Sequence, residues 1–210
     1  AGRSPNGTTQ LAIRGEVDYI AATVELFALT RIPNLGPQPP PPAGSYTLRL
    51  LDGGVAAWTK DRKDPLQAGA PKVEPKTFKI AVRKEMIVTM DDVKKAKTAG
   101  VLLVDNRPED QYVGINRHPK ATESGTIEGA KNLPNGWITV NGGGEFRGKA
   151  QLEQLHKVAN VPTSGDQINF CNTGHWASVG WFVSSELMGN KKARMYDGSM
   201  IEWTMLKGGS

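Results

Sequence analysis

Apolar residues recur at helical spacing over residues 16–32 and the pattern stops at Pro33, which predicts a helix there. The stretch from Gly36 to Gly44 holds five prolines and cannot join a helix or a central strand, so residues 33–44 read as a stiff surface insertion. A short alternating run, Tyr46-Thr-Leu-Arg-Leu-Leu, predicts a strand, and Asp52-Gly-Gly-Val-Ala-Ala-Trp58 a turn entering a helix. Residues 61–77 are rich in Pro, Lys and Asp and read as linker. The second half is patterned more strongly. Thr89 is a natural N-cap for a helix whose first turn carries Asp91 and Asp92. Val101-Leu-Leu-Val-Asp105 is an uninterrupted apolar run of the kind buried on both faces of a parallel sheet. Helical spacing over 150–159 leads to a second short strand, Ile168-Asn-Phe, then a helix over 177–188 and a third strand, Ala193-Arg-Met-Tyr196. Strands alternating with helices predict an α/β fold with an open parallel sheet, whose ligands lie at the carboxyl ends of the strands. Asp105 and Cys171 both stand at such ends.

The two halves share a motif. Leu51-Asp-Gly-Gly-Val-Ala-Ala-Trp58 matches Tyr196-Asp-Gly-Ser-Met-Ile-Glu-Trp203, and each copy follows a strand and a helix, so duplication of one α/β unit explains both.

Composition narrows the class. The chain has 210 residues, 38% of them hydrophobic, with no apolar run of the roughly 18 residues that a membrane span needs. A soluble protein of the cytoplasm or periplasm is expected. The net charge of +5 suits a small anionic substrate. Lys94, Lys95 and Lys97 follow the acids of a helix start and read as its solvated face, so nucleic acid is not an expected partner. One cysteine excludes an intrachain disulfide framework and a multi-thiolate metal site, and neither a metal nor an organic cofactor is expected.

That cysteine sits where a nucleophile is displayed. In Phe170-Cys-Asn-Thr-Gly-His-Trp-Ala-Ser178 the apolar strand ends at the sulfur and the chain turns into an amphipathic helix. Such a loop points backbone N–H groups and the positive end of the helix dipole at its contents, which favours a thiolate. The amides of Asn172, Thr173, Gly174, His175, Trp176 and Ala177 are the expected cradle, with Gly174 supplying backbone freedom. His175 donates to a leaving group, stabilises the thiolate as imidazolium or only shapes the rim, and Trp176 either walls a cleft or packs in the core. Arg107 follows the strand-ending Asp105, and either holds the loop and balances anionic charge or forms a structural ion pair.

Together these motifs resemble the rhodanese, or thiosulfate sulfurtransferase, family in its tandem form, which includes the 3-mercaptopyruvate sulfurtransferases. The resemblance rests on Val104-Asp-Asn-Arg107, Gly125-Thr-Ile-Glu-Gly-Ala130 with Asn132-Leu-Pro134, the Cys171 loop and Tyr196 to Trp203. It implies a complete catalytic rhodanese domain over 89–210, a linker over 71–88, and an incomplete, inactive first copy over 1–70, where no cysteine falls at residues 15–22. Completion of that copy by a second chain is one implied arrangement. The implied activity passes a sulfane sulfur from thiosulfate or 3-mercaptopyruvate through a Cys171 persulfide to cyanide or a thiol. The alternative is a persulfide carrier that discharges to a protein partner. Thiosulfate-preferring relatives often carry basic residues where this chain has Asn172 and Thr173, and the substrate arginine common in relatives is replaced by Gln111. A related phosphatase would need Cys-x5-Arg, but Ala177 stands six positions after Cys171. The papain-type signature is absent too.

Overall fold

A computed structural model of the chain describes residues 52–53, 84–142 and 144–206. The expectations for the rest of residues 1–83, including the incomplete first copy and the proline-rich insertion, lie outside the described residues.

Five strands form one sheet in the order β1-β5-β4-β2-β3, with every pairing parallel. They are β1 (Ile87–Val88), β2 (Leu102–Asp105), β3 (Lys131–Asn132), β4 (Gln167–Phe170) and β5 (Ala193–Tyr196). The α-helices between and after them are α1 (Met90–Thr98), α2 (Glu109–Tyr112), α3 (Lys149–Val158), α4 (His175–Phe182) and α5 (Ser199–Met205). After α4 the chain continues through one π-helical turn, Val183–Leu187.

Local chemistry sets these elements. The Thr89 side chain accepts from the Asp92 N–H while the Asp92 carboxylate accepts from the Thr89 N–H, the reciprocal cap that opens α1. The Thr89 N–H and hydroxyl both donate to the Asp92 carboxylate, at 3.0 and 2.7 Å, and hold that carboxyl below its usual pKa, with the backbone bond foremost. In β2, Leu103 and Val104 point to opposite faces and both are buried, as a central strand requires. Leu103 packs with Ile168, Phe170, Tyr196 and Trp203 on the α1 and α5 side. On the other side, Cys171, Ala177, Trp181, Phe182 and Met195 cluster beneath α4. Each fully buried Ile, Leu or Phe in these layers contributes about 1.5–3 kcal/mol.

The strand order places the site. From β2 the chain proceeds to β3 on one side, and from β4 to β5 on the other, so the loops leaving β2 and β4 diverge at their carboxyl ends. Asp105 and Phe170 are register partners, and the Asn106 N–H donates to the Phe170 carbonyl at 2.8 Å. The residues after Asp105 are thereby tied to the residue before Cys171.

Two boundaries depart from the sequence expectation. The linker assigned to 71–88 ends earlier, because Ile87 and Val88 pair with Met195 and Tyr196 as an edge strand. Two residues are too few to show a period. The helix expected from 177 begins at His175, so His175 and Trp176 belong to its first turn. Two hydrogen bonds join the described part of the first half to the domain: the Phe146 N–H donates to Asp52 Oδ1 at 2.9 Å and the Gly53 N–H to the Gly144 carbonyl at 3.1 Å. Phe146 in turn packs against the cluster that contains Cys171.

Candidate active site

Cys171 follows β4 directly and is 1% exposed. Its backbone is fixed from α5: the Cys171 N–H donates to Ser199 Oγ at 3.0 Å, and the Cys171 carbonyl accepts from Met200 N–H at 3.0 Å. The Asn172 carbonyl likewise accepts from Ile201 N–H at 3.2 Å. Ser199 holds a left-handed backbone, φ 51°, uncommon for a residue with a side chain. Its hydroxyl donates to the Tyr196 carbonyl at 2.9 Å and lies 4.0 Å from Cys171 Sγ. One hydroxyl proton therefore has two acceptors within reach, and the sulfur is the one that gains from it when ionised.

Gly174 is the N-cap of α4, with φ 84° and no side chain to satisfy the first-turn amides. The first amides of a helix have no intrahelical carbonyl, so this end of α4 presents donors and partial positive charge. Asp197 closes the turn so tightly that a Cβ on Gly174 would lie 2.0 Å from Asp197 Oδ1 and 3.2 Å from the Asp197 carbonyl oxygen. Glycine here meets both a left-handed backbone and a close approach. Deeper in α4, a Cβ on Gly180 would fall 2.3 Å from Asn106 Oδ1, so the helix seats directly on the residue that follows β2.

The structure brings most of the expected residues together and sorts them by depth. Asn172, Gly174 and Ala177 are buried beside Cys171, whereas Thr173 and His175 are exposed. Thr173 Oγ1 and His175 Nδ1 lie 3.0 Å apart at the rim. Trp176 is 37% exposed, which rules out the core position left open by the sequence.

Arg107 is placed differently. Its Nε and Nη2 grip the Asp105 carboxylate, the closest contact being 2.6 Å, and Nη2 also donates to the Gly125 carbonyl at 2.7 Å. Thr126 adds a donor to the same carboxylate at 2.7 Å. Both ionic partners are almost wholly buried. Of the two readings of Arg107, the structural ion pair is the one its donors make, because Asp105 is only two residues away and equally buried. Sequence reasoning left Gln111 as a bare replacement, yet Gln111 Oε1 accepts from Asn172 Nδ2 at 2.8 Å. Asn106 and Ser199 were not among the expected site residues. The repeat of Asp197-Gly198-Ser199 with Asp52-Gly53-Gly54 was the available signal for Ser199, since it marks a turn packed against the nucleophile loop. Among the described residues there is no cluster of His, Cys, Asp and Glu able to hold a metal ion, and no helix is long and apolar enough to cross a membrane.

Comparison with known proteins gives a consistent neighbourhood. Residues 89–206 match the model of the rhodanese-like domain. The sulfur carrier protein TtuD of Thermus thermophilus is 32% identical over 177 residues, covering 79% of this chain and 61% of that protein. The thiosulfate sulfurtransferase of Corynebacterium glutamicum is 29% identical over 177 residues, covering 76% of this chain and 55% of that one. This chain thus spans less than two thirds of the length of these relatives. In fold it resembles the 3-mercaptopyruvate sulfurtransferase SseA of Escherichia coli, with TM-score 0.64 and 24% identity over 73% of this chain and 56% of that one. It also resembles the Tum1 protein of Saccharomyces cerevisiae, with TM-score 0.66 and 23% identity over 77% of this chain and 59% of that one.

Proposed function

The chain belongs to the rhodanese family, and from that premise we propose that it is a sulfurtransferase working through a persulfide on Cys171. The carrying observation is the seat of that sulfur: at the end of a central strand, 4.0 Å from a buried hydroxyl and just before the uncapped N-terminus of α4. The donors at this seat can serve both the sulfur nucleophile and the persulfide that replaces it.

The reaction runs in two displacements. With thiosulfate, the Cys171 thiolate attacks the outer sulfur, a new S–S bond forms, and sulfite leaves with the electrons of the old one. With 3-mercaptopyruvate, the S–C bond breaks instead and its electron pair passes to carbon. The enolate takes up the thiol proton and leaves as pyruvate. In the second displacement cyanide or a thiolate attacks the outer sulfur and Cys171 departs as thiolate. No electrons are gained or lost overall, so the cycle calls for no redox cofactor. His175, at the rim with Thr173, is positioned to meet a leaving group or acceptor as it enters or departs.

The carrier alternative keeps the first displacement and hands the sulfur to a protein thiol. A sulfur carrier protein among the relatives favours it. Residues 1–70 we read as a partial first copy of the same unit, a reading supported by the match of Leu51-Asp-Gly-Gly-Val-Ala-Ala-Trp58 to Tyr196-Asp-Gly-Ser-Met-Ile-Glu-Trp203. Thiocyanate formation from either donor and cyanide tests the enzyme reading. Turnover abolished by Cys171→Ser supports it; a persulfide that forms on Cys171 but resists cyanide and discharges only to a protein thiol moves the assignment to the carrier.

A further inference from the structure

We infer that Asp52 and Gly53, from the half of the chain that lacks a cysteine, are positioning residues for Cys171: their turn clamps the segment carrying Phe146, and Phe146 packs against α4. Only the sulfur-transfer arm of the test rests on the sulfurtransferase reading above. Residues 138–140 and 145–147 run antiparallel, with the Val140 N–H donating to the Glu145 carbonyl at 2.9 Å and the Arg147 N–H to the Ile138 carbonyl at 3.1 Å. Thr139 and Phe146 face each other between those two bonds. In such a pair each N–H points away from the opposite residue and needs an acceptor elsewhere. Asp52 Oδ1 is that acceptor for Phe146, at 2.9 Å. The Gly53 N–H adds a bond to the Gly144 carbonyl at 3.1 Å, and the two backbones touch there. A Cβ on Gly144 would lie 2.8 Å from the Gly53 carbonyl oxygen and 3.1 Å from Gly53 Cα.

From Phe146 the contact reaches the layer that holds the sulfur. Its ring lies 5.4 Å from that of Phe182, the last residue of α4, at an angle of 46°. It packs on the cluster of Cys171, Ala177, Trp181 and Met195, and also on that of Ile138, Leu152 and Val183. The Cys171 loop runs directly into the first turn of α4, so a displacement at the far end of this short helix is felt at the loop, because close-packed interiors transmit strain. The duplicated motif does one task twice. In the second copy, Asp197 closes on Gly174 and Ser199 accepts from the Cys171 N–H. In the first, Gly53 closes on Gly144 and Asp52 accepts from the Phe146 N–H. Each turn presses on a glycine of the catalytic domain and holds the backbone of a residue in one shared apolar layer.

The test compares the native chain with Asp52→Ala, Asp52→Asn and Gly144→Ala. Cys171 is the sole cysteine, so its alkylation by iodoacetamide, followed by intact mass without denaturant, reads how well that buried sulfur is held. Thiocyanate formation from thiosulfate or 3-mercaptopyruvate reads transfer. Gly144 has no left-handed backbone, and the three atoms nearest its Cβ all belong to Gly53, so Gly144→Ala disturbs this contact alone. Asp52→Ala and Gly144→Ala should each alkylate at least about threefold faster, through local opening. Each should also lower kcat by about tenfold, with KM within about twofold of native. Asp52→Asn keeps an oxygen for the Phe146 N–H and should stay within about threefold of native in both readouts. Asp52→Ala and Gly144→Ala proteins that lose only urea stability, with native alkylation and kcat, overturn the inference. So does an Asp52→Asn protein as impaired as Asp52→Ala. A native chain that transfers sulfur from neither donor overturns the sulfurtransferase reading, and alkylation then decides the positioning role by itself. If Asp52→Ala fails to fold, Gly144→Ala decides.

Discussion

Replacing Gly174 by alanine asks the most of the site's architecture. The backbone there has φ 84°, and a left-handed residue with a side chain costs about 1–2 kcal/mol. The added Cβ would also meet Asp197 Oδ1 at 2.0 Å and the Asp197 carbonyl oxygen at 3.2 Å. The carboxylate can swing away, but the carbonyl belongs to the turn that positions Ser199, so part of the overlap must be absorbed by backbone. Overpacking of this kind costs about 1–3 kcal/mol, giving about 2–5 kcal/mol for Gly174→Ala in all. Urea unfolding should show a lower midpoint at unchanged slope, and the melting temperature should fall by at least about 4 °C. A cycle with Asp197→Ala separates the two causes. The double variant removes the 2.0 Å overlap but keeps the left-handed backbone, so a coupling of about 1–3 kcal/mol between the two sites is expected, with residual destabilisation in the double. Sulfur transfer should fall further than stability does in Gly174→Ala, because the loop that shifts is the one that carries Cys171. A Gly174→Ala protein within about 0.5 kcal/mol of native, with transfer intact, would refute the account of this turn.

Two further outcomes follow from buried charge. Arg107→Met leaves the Asp105 carboxylate buried without its cation and should cost about 3–5 kcal/mol in urea unfolding, whereas Asp105→Leu with Arg107→Met together should cost less than Arg107→Met alone. A stable Arg107→Met whose only defect is a raised KM for anionic donors would instead make Arg107 a substrate ligand. His156 is 1% exposed, its Nδ1 lies 3.1 Å from the Val161 carbonyl, and burial lowers its pKa below the ordinary 6.5, the carbonyl opposing only in part. The folded state therefore favours neutral imidazole: its contribution is fully present above about pH 6.5 and is lost as pH falls below that value, where the unfolded chain binds the proton first. Unfolding midpoints measured between about pH 7 and 5 should decline less in His156→Phe than in the native chain; equal slopes would contradict this.

How far the sequence carried varies with the signal each element leaves. Central strands β2, β4 and β5 were legible because Leu103, Val104, Ile168 and Met195 form short apolar runs buried on both faces. Edge strands β1 and β3 have two residues each and leave no period to read. Capping by Thr89 was visible as a side chain with the right chemistry at the right offset. The start of α4 was not, because its cap is a glycine whose role depends on Asp197 across the turn. Cys171 was legible from its place between strand and helix. The partners of its loop were less so: Ser199 bonds Cys171 and Gln111 bonds Asn172, and hydrogen bonds across 28 and 61 positions have no local signature. Arg107 shows the converse. A charged residue beside a presumed anion site invites a binding role, but a carboxylate two residues away and the Gly125 carbonyl claim its donors first.

The central claim is that Cys171 carries the sulfur, and the most direct measurement is the intact mass of the protein after exposure to 3-mercaptopyruvate and, separately, thiosulfate, followed by peptide mapping. The account predicts a species one sulfur atom heavier, with the extra sulfur on the peptide containing Cys171, absent from Cys171→Ser. A folded protein that gains no sulfur from either donor, or a Cys171→Ser variant that gains it equally well, would contradict the account.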